Sequence, residues 1–248
     1  MNAKSNLHTH SVYCDGKDTP RRLVETALEK GFGTLGFSGH SHTAFDESWC
    51  MSRENTLLYR SEIARLKEEY SGRIRILCGV EQDYYSDMSP EGYDYVIGSV
   101  HYVMARGLFV PVDESAELQL ESAEKYFCGD MYAFAAEYFR TVADVVNRTG
   151  ADIIGHFDLI AKFNEGGRLF DETDPRYLRP AEAAALKLIK TGRPFELNYG
   201  AVARGLRSEP YPSAPLRRFI EDNGGRFIVT SDCHDSTLLD FGIDREIS

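Results

Sequence analysis

Arg75-Ile76-Leu77-Cys78-Gly79-Val80 is a short apolar run that ends on a carboxylate, Glu81. From Ile76 on it is continuously apolar rather than apolar at alternate positions, so it reads as a strand buried on both faces, as in a parallel sheet covered by helices. Its neighbours repeat the arrangement. Upstream, Lys4 to His8 reads as a first strand and Thr34 to Ser38 as a second, which ends at Gly39-His40-Ser41-His42. Downstream, Tyr93 to Val100 delivers His101, Asp152 to Gly155 delivers His156, and Pro194 to Leu197 ends at Asn198. Phe227 to Ser231 is the seventh run and delivers Asp232 and His234.

Helical patterns fall between these runs. Thr19-Pro20 pairs an N-cap with a first-turn proline, Leu23, Val24, Ala27 and Leu28 form an apolar face, and Gly31 ends it. Leu57 to Tyr70, Met131 to Thr149, Ala181 to Thr191 and Leu216 to Asn223 are further helices, and Val103 to Val110 has the look of a hairpin. Phe163 to Arg179 is polar with turn residues and reads as an active-site loop. Strands alternating with helices, with no linker or repeat, predict one closed α/β barrel of seven strands over residues 1–248. Such barrels carry their active sites at the carboxyl ends of the strands.

Composition narrows the function. The chain has 248 residues, 42% of them hydrophobic, with no basic-then-apolar leader and no apolar run long enough to span a bilayer, so a soluble, cytoplasmic protein is expected. Five scattered cysteines without CxxC spacing predict reduced thiols, neither a disulfide framework nor a thiolate zinc site. A net charge of -11 opposes binding to a nucleic-acid backbone. A phosphorylated small molecule remains an acceptable substrate if bound cations reverse the sign locally. Nothing in the sequence chooses between a monomer and a homo-oligomer.

His8 and His10 are two residues apart, which in extended backbone points both rings to one face. Taken singly, a histidine after a strand is an ordinary loop residue, and Glu81 or Asp232 could be a helix cap. Together, His8, His10, His40, Glu81, His101, His156, Asp232 and His234 all sit on or just past the ends of the apolar runs. If the runs form one barrel these groups converge. So many imidazoles and carboxylates in one place call for cations to neutralise and orient them.

Six segments carry a resemblance in chain order. His8-Thr9-His10 with Asp15-Gly16, Gly36 to Ser41, Gly79-Val80-Glu81, Gly98 to His101, Ile154 to Asp158 and Thr230 to His234 resemble the ordered motifs of the polymerase and histidinol phosphatase (PHP) family. Phe157 to Ile160, Glu196-Leu197-Asn198 and Glu209 to Ser213 are similar to segments of its stand-alone histidinol-phosphatases. The resemblance implies a distorted (β/α)7 barrel and three divalent metal ions. One ion would take His8, His10, Glu81 and Asp232, a second Glu81, His101 and His156, and a third Asp15, His40 and His234. Many family members carry histidine where this chain has Asp15, and either can bind a divalent ion. The ligand chemistry suits zinc, iron or manganese alike.

The expected chemistry is attack on phosphorus by a hydroxide held between two metals, with Glu81 bridging them. The leaving alkoxide needs a proton, and His42 and Asp232 are the candidate donors. The resemblance places Lys162 and Arg204 on the phosphate. Arg207 is a third, weaker choice of cation, and Tyr84, Tyr85 and Tyr199, near strand ends, read equally as pocket walls or as packing residues. The expected activity is hydrolysis of L-histidinol phosphate, a step of histidine biosynthesis. Two alternatives remain open: the same centre acting on a nucleotide or 3′-terminal phosphodiester, and an inactive metal-stabilised domain that binds a partner. After His234 only Ser236 to Ser248 remains, with little apolar periodicity, so the last barrel helix is expected to be short or missing. A truncated chain, or an edge that a partner subunit covers, would account for that.

Overall fold

Seven runs become seven parallel strands. A computed structural model describes residues 4–243. In chain order the elements are β1 (Lys4–Asn6), α1 (Pro20–Glu29), β2 (Phe32–Phe37), α2 (Arg53–Glu69), β3 (Arg75–Asp83) and β4 (Tyr95–Ser99). They continue with β5 (Tyr102–Ala105), β6 (Leu108–Pro111), α3 (Ala116–Phe127), α4 (Met131–Val142), α5 (Val145–Thr149) and β7 (Ile153–Ile154). The remainder are α6 (Pro175–Ile189), β8 (Phe195–Asn198), α7 (Gly200–Ala203), α8 (Ala214–Asp222) and β9 (Phe227–Thr230). The parallel sheet runs β1-β2-β3-β4-β7-β8-β9, and β5 pairs with β6 in a separate antiparallel hairpin.

The sheet curls until its first and last strands meet. Just beyond β1 and β9, Thr9 bridges Cys233 in parallel: the His10 amide donates to the Cys233 carbonyl at 2.8 Å and the Cys233 amide to the His8 carbonyl at 3.1 Å. Asn6 reinforces the seam, its side-chain amide donating to Ser231 Oγ at 2.7 Å. Closure is therefore made at the carboxyl rim. Inside the barrel, Tyr95 packs with Ile97 and Ile153, and its hydroxyl donates to the Leu7 carbonyl at 2.5 Å. A methyl group at Gly79 would lie 2.3 Å from the Tyr95 ring, so that strand position has room only for glycine.

Outside, two apolar layers bury the helices. One packs Leu23, Val24, Tyr59 and Ile63 of α1 and α2 against Phe37 and Ile76. The other packs Phe134, Tyr138, Tyr177 and Leu188 of α4 and α6 against Phe157 and Phe195. No described helix is long and apolar enough to cross a membrane.

The helices depart from expectation in three places. The helix expected over 131–149 is two, because after Val142 the backbone turns at Asp144, whose carboxylate accepts from Asn147 Nδ2. The expected loop from 163 to 179 is shorter, because α6 starts at Pro175 rather than Ala181: Asp174 caps Arg176 N and Pro175 fills the first turn, which leaves Pro180 inside the helix. α3 escaped notice because its buried face is Ala116, Gln119, Ser122 and Ala123, too small and polar to register as an apolar period. After β9 there is a single 3-10 turn at Ser236–Leu238, and the end of the expected short last helix, residues 244–248, lies outside the described residues.

Candidate metal centre

Glu81 lies near the end of β3, 1% exposed, with imidazoles around both of its oxygens. Oε2 lies 3.1 Å from His8 Nε2, 3.4 Å from His10 Nε2 and 2.9 Å from His40 Nδ1. Oε1 lies 2.8 Å from His156 Nε2 and 3.5 Å from His101 Nε2. The two oxygens thus face two different sets of rings. A parallel bridge between His40 and Glu81 fixes β2 against β3 so that this occurs.

Asp232 is the second anion. Its Oδ1 sits 3.5 Å from His8 Nε2 and 3.2 Å from His10 Nε2. It adopts a left-handed φ of 47°, uncommon for a residue with a side chain, and Gly200 makes this possible: a Cβ there would lie 2.6 Å from Asp232 Oδ2. Asp15 is the third, with Oδ2 at 3.1 Å from His234 Nε2 and 3.5 Å from His40 Nε2.

Three groups of ligand atoms result, each with its atoms within 4.8 Å of one another: His10, Asp15, His40 and His234; His8, His10 and Asp232; and His40, Glu81 and His101. Eight of the nine residues named as ligands from the sequence fall in these groups, and the ninth, His156, joins the same rim with Nε2 2.8 Å from Glu81 Oε1. His10 and His40 stand between neighbouring groups rather than in one each.

The donors suit divalent cations. His10 Nε2 and His40 Nδ1 are buried beside carboxylate oxygens yet make no hydrogen bond, so their nitrogens converge on shared points without meeting a partner. Charge points the same way. Burial works against ionising Glu81, but His40 and His8 hold it well below the usual carboxylate range. Burial likewise opposes charge on His8, yet Glu196, Asp232 and Glu81 hold its pKa well above the ordinary value. His10, buried with His234 and His40 alongside, falls to about 3 and so presents a neutral nitrogen. Carboxylates that demand positive charge beside an imidazole that refuses a proton are the conditions under which a metal replaces protons.

An outer layer orients these rings, and the sequence reading gave its members no role. Glu196 takes His8 Nδ1 at 2.6 Å on one oxygen and accepts from the His156 amide at 3.0 Å on the other. Asp83 accepts from the His101 amide at 3.1 Å and lies 3.2 Å from His101 Nδ1. The signal was present: Glu81 and Asp83, like His8 and His10, are two apart and so share a strand face.

A cavity of about 340 Å³ opens over the centre and includes Lys162 and Arg204 in its lining. Arg204 places Nη1 3.4 Å from His234 Nδ1 and Nη2 3.5 Å from Asp232 Oδ2. Lys162 donates to both the carbonyl and the carboxylate of Asp113 at 2.9 Å. Trp49 and Tyr102 form its aromatic wall. Tyr84, Tyr85 and Tyr199 do not: Tyr84 donates to Asp144 and Tyr85 packs on Phe109.

Two expected residues lie elsewhere. Arg207 is not in the lining; its guanidinium, 4% exposed, forms a two-pronged pair with Glu172 at 2.7 and 3.1 Å and donates to the Ala161 carbonyl. An arginine already matched by an internal carboxylate is a strut beneath the loop. His42 is also outside the lining, with Nδ1 2.6 Å from Asp87 and Nε2 2.8 Å from Glu47. Both ring nitrogens are committed, so neither is directed at a leaving group.

The profile of the PHP domain matches residues 6–199. The chain belongs to the PHP domain family. A curated PHP relative from Deinococcus radiodurans, named "Probable histidinol-phosphatase", is 29% identical over 246 residues, which is 94% of this chain and 87% of the relative. Among solved structures, one from Listeria monocytogenes has a TM-score of 0.82 at 18% identity, covering 98% of this chain and 99% of that one. A histidinol phosphate phosphatase from Lactococcus lactis, solved with zinc, L-histidinol and phosphate, has a TM-score of 0.67 at 21% identity over 94% of this chain and 87% of its own. At these identities the solved structures establish the PHP fold.

Proposed function

We propose that this chain is a metal-dependent phosphomonoesterase that hydrolyses L-histidinol phosphate to L-histidinol and phosphate. The observation that carries the reading is Glu81, whose two oxygens face separate sets of histidines beneath a cavity containing Arg204 and Lys162. The Deinococcus relative and the ligands of the Lactococcus structure support the substrate. His8, His10, Glu81 and Asp232 would hold one divalent ion, Glu81, His101 and His156 a second, and Asp15, His40 and His234 a third.

Bound divalent ions supply two things here: a water acidic enough to act as a nucleophile at neutral pH, and positive charge on the phosphoryl oxygens. The chain's residues supply the rest. Glu196 and Asp83, as acceptors for Nδ1 of His8 and His101, would leave each Nε2 lone pair free for a cation shared with Glu81. Arg204, braced by donating Nε to the Gly200 carbonyl at 3.1 Å, offers its outer nitrogens to phosphate, and Lys162 adds a point charge. Asp232 is the one of the two proton-donor candidates that lines the cavity; held ionised against its burial by His8, His10 and Arg204, it would take a proton from the attacking water and pass it to the leaving alkoxide.

The test is kcat/KM for L-histidinol phosphate against a panel of phosphomonoesters and a nucleotide, with metal content measured on the same preparation. A preference of about 100-fold or more for histidinol phosphate is expected. Equal rates across the panel would leave a general phosphoesterase, and no turnover with metals bound would leave a structural domain.

A further inference from the structure

The cavity lining is of two chemical kinds. It includes Arg204 and seven of the expected metal ligands, and also Trp49, Tyr102 and Asp46, which are joined to one another, with Glu114. Trp49 Nε1 donates to the Tyr102 hydroxyl at 3.0 Å, and that hydroxyl donates to Asp46 Oδ2 at 2.6 Å. Asp46 Oδ1 accepts from both the amide and the hydroxyl of Ser48, at 3.1 and 2.6 Å.

These bonds hold a ring and an anion in fixed relation. The Trp49 indole meets the His40 ring edge-on at 4.6 Å and the His101 ring at 5.1 Å, so it is wedged against the metal centre. Behind it, Tyr102 packs edge-on against Phe45 at 4.8 Å, and Phe45 stacks on Phe109 at 3.8 Å. Among the described residues no lysine or arginine pairs with Asp46. Burial raises its pKa, but the bonds from Ser48 and Tyr102 outweigh that and keep it below the usual range. An ionised carboxylate beside an indole and a phenol, with no internal cation, has the composition of a site for an organic cation.

We propose that Trp49, Tyr102 and Asp46 form the subsite for a cationic organic group, an ammonium or imidazolium, carried by the alcohol half of the phosphomonoester. This rests on the phosphomonoesterase reading for its phosphate end only. It makes charge on the leaving alcohol, rather than size, the main determinant of specificity. It also predicts slow turnover of a nucleotide, since Asp46 and Glu114 would face further phosphates.

Two measurements on the metal-loaded enzyme decide it. Trp49 is the chain's only tryptophan, so its fluorescence reports this subsite alone. L-Histidinol, which carries the cation but no phosphate, should change that emission saturably, and Asp46→Asn should weaken its apparent Kd about tenfold or more, as expected for loss of a charged partner. In kinetics, the ratio of kcat/KM for phosphoethanolamine or histidinol phosphate over that for glycerol phosphate should fall about tenfold in Asp46→Asn, through KM rather than kcat. Tyr102→Phe, which cuts the link between indole and carboxylate, should lower the same ratio if Asp46→Asn fails to fold. Unchanged fluorescence with histidinol, or equal losses on cationic and neutral esters, would overturn the subsite. If no ester is turned over, the phosphomonoesterase reading falls, while the histidinol titration still decides whether the cation site exists.

Discussion

Glu81 and Asp158 are both buried carboxyls at the carboxyl rim of one barrel, and their surroundings drive them in opposite directions. Glu81 has histidine nitrogens on both oxygens and is held ionised against its burial. Asp158 accepts one hydrogen bond, from the Ser213 amide at 2.9 Å, and lies among Tyr138, Tyr177 and Tyr211. Burial, reinforced by Glu172 and only partly opposed by Ser213 and Arg207, pushes it up to about 7. Depth alone therefore does not decide whether a carboxyl is ionised. What separates the two is whether the neighbours are bases that share a cation or hydroxyls that cannot.

The comparison breaks if Glu81 proves dispensable. Glu81→Gln keeps the shape but removes the charge that both ring sets face, and should lower kcat/KM by about a thousandfold, roughly 4 kcal/mol, with loss of bound metal in the same sample. Retained activity with full metal content would remove the bridging role. On the Asp158 side, Arg207→Met leaves Glu172 without its partner and should cost about 3 kcal/mol of stability, read as a lower Tm. Activity per folded molecule should stay within about twofold, since Arg207 lies outside the cavity lining. A loss of kcat/KM without a change in Tm would instead restore it as a phosphate ligand.

Asp158→Asn sharpens the contrast through pH. The folded pKa of about 7 lies above the ordinary 3.8, so in this window the native state keeps a proton that the unfolded chain has lost. The group's contribution is fully present below about pH 4 and is lost as pH rises toward 7, with a slope of about 1 kcal/mol per unit. The asparagine variant has no such slope. Denaturant midpoints of both proteins at pH 4.5, 5.5 and 6.5 should show the wild type losing ground to the variant as pH rises, and parallel curves would mean that Asp158 is ionised throughout.

The parts of this molecule that were legible in the sequence are those repeated along it. Seven apolar runs, six of them followed by a ligand-type residue, specify both a parallel barrel and the rim on which it gathers its polar groups, because strand burial and strand direction are written locally. α3 was hidden because it packs on α4 and β6 through small and polar residues rather than through a large apolar face. Which cations face the cavity was hidden for another reason. Arg204 and Arg207 are three residues apart in one loop, and only the position of Glu172, far along the chain, turns one of them inward. Trp49 and Tyr102 were likewise invisible as a pair, since their hydrogen bond joins the loop before α2 to the start of β5, which no local pattern connects.

The smallest expected effect concerns His42, next but one to His40, and tests how far position along the chain implies a role. Its ring is 4% exposed and bridges Glu47 to Asp87, which also pairs with Arg53. It therefore ties the segment carrying Asp46 and Trp49 to the loop after β3. His42→Gln keeps a donor for one of the two carboxylates and should cost less than about tenfold in kcat/KM, under roughly 1.4 kcal/mol, with KM for cationic esters affected more than kcat. A general acid removed from the site would cost about a hundredfold or more and would flatten the basic limb of the kcat profile. That result, in a variant that still binds its metals, would mean that the loop swings His42 over the cavity during turnover and that its pairing with Asp87 is only the resting arrangement.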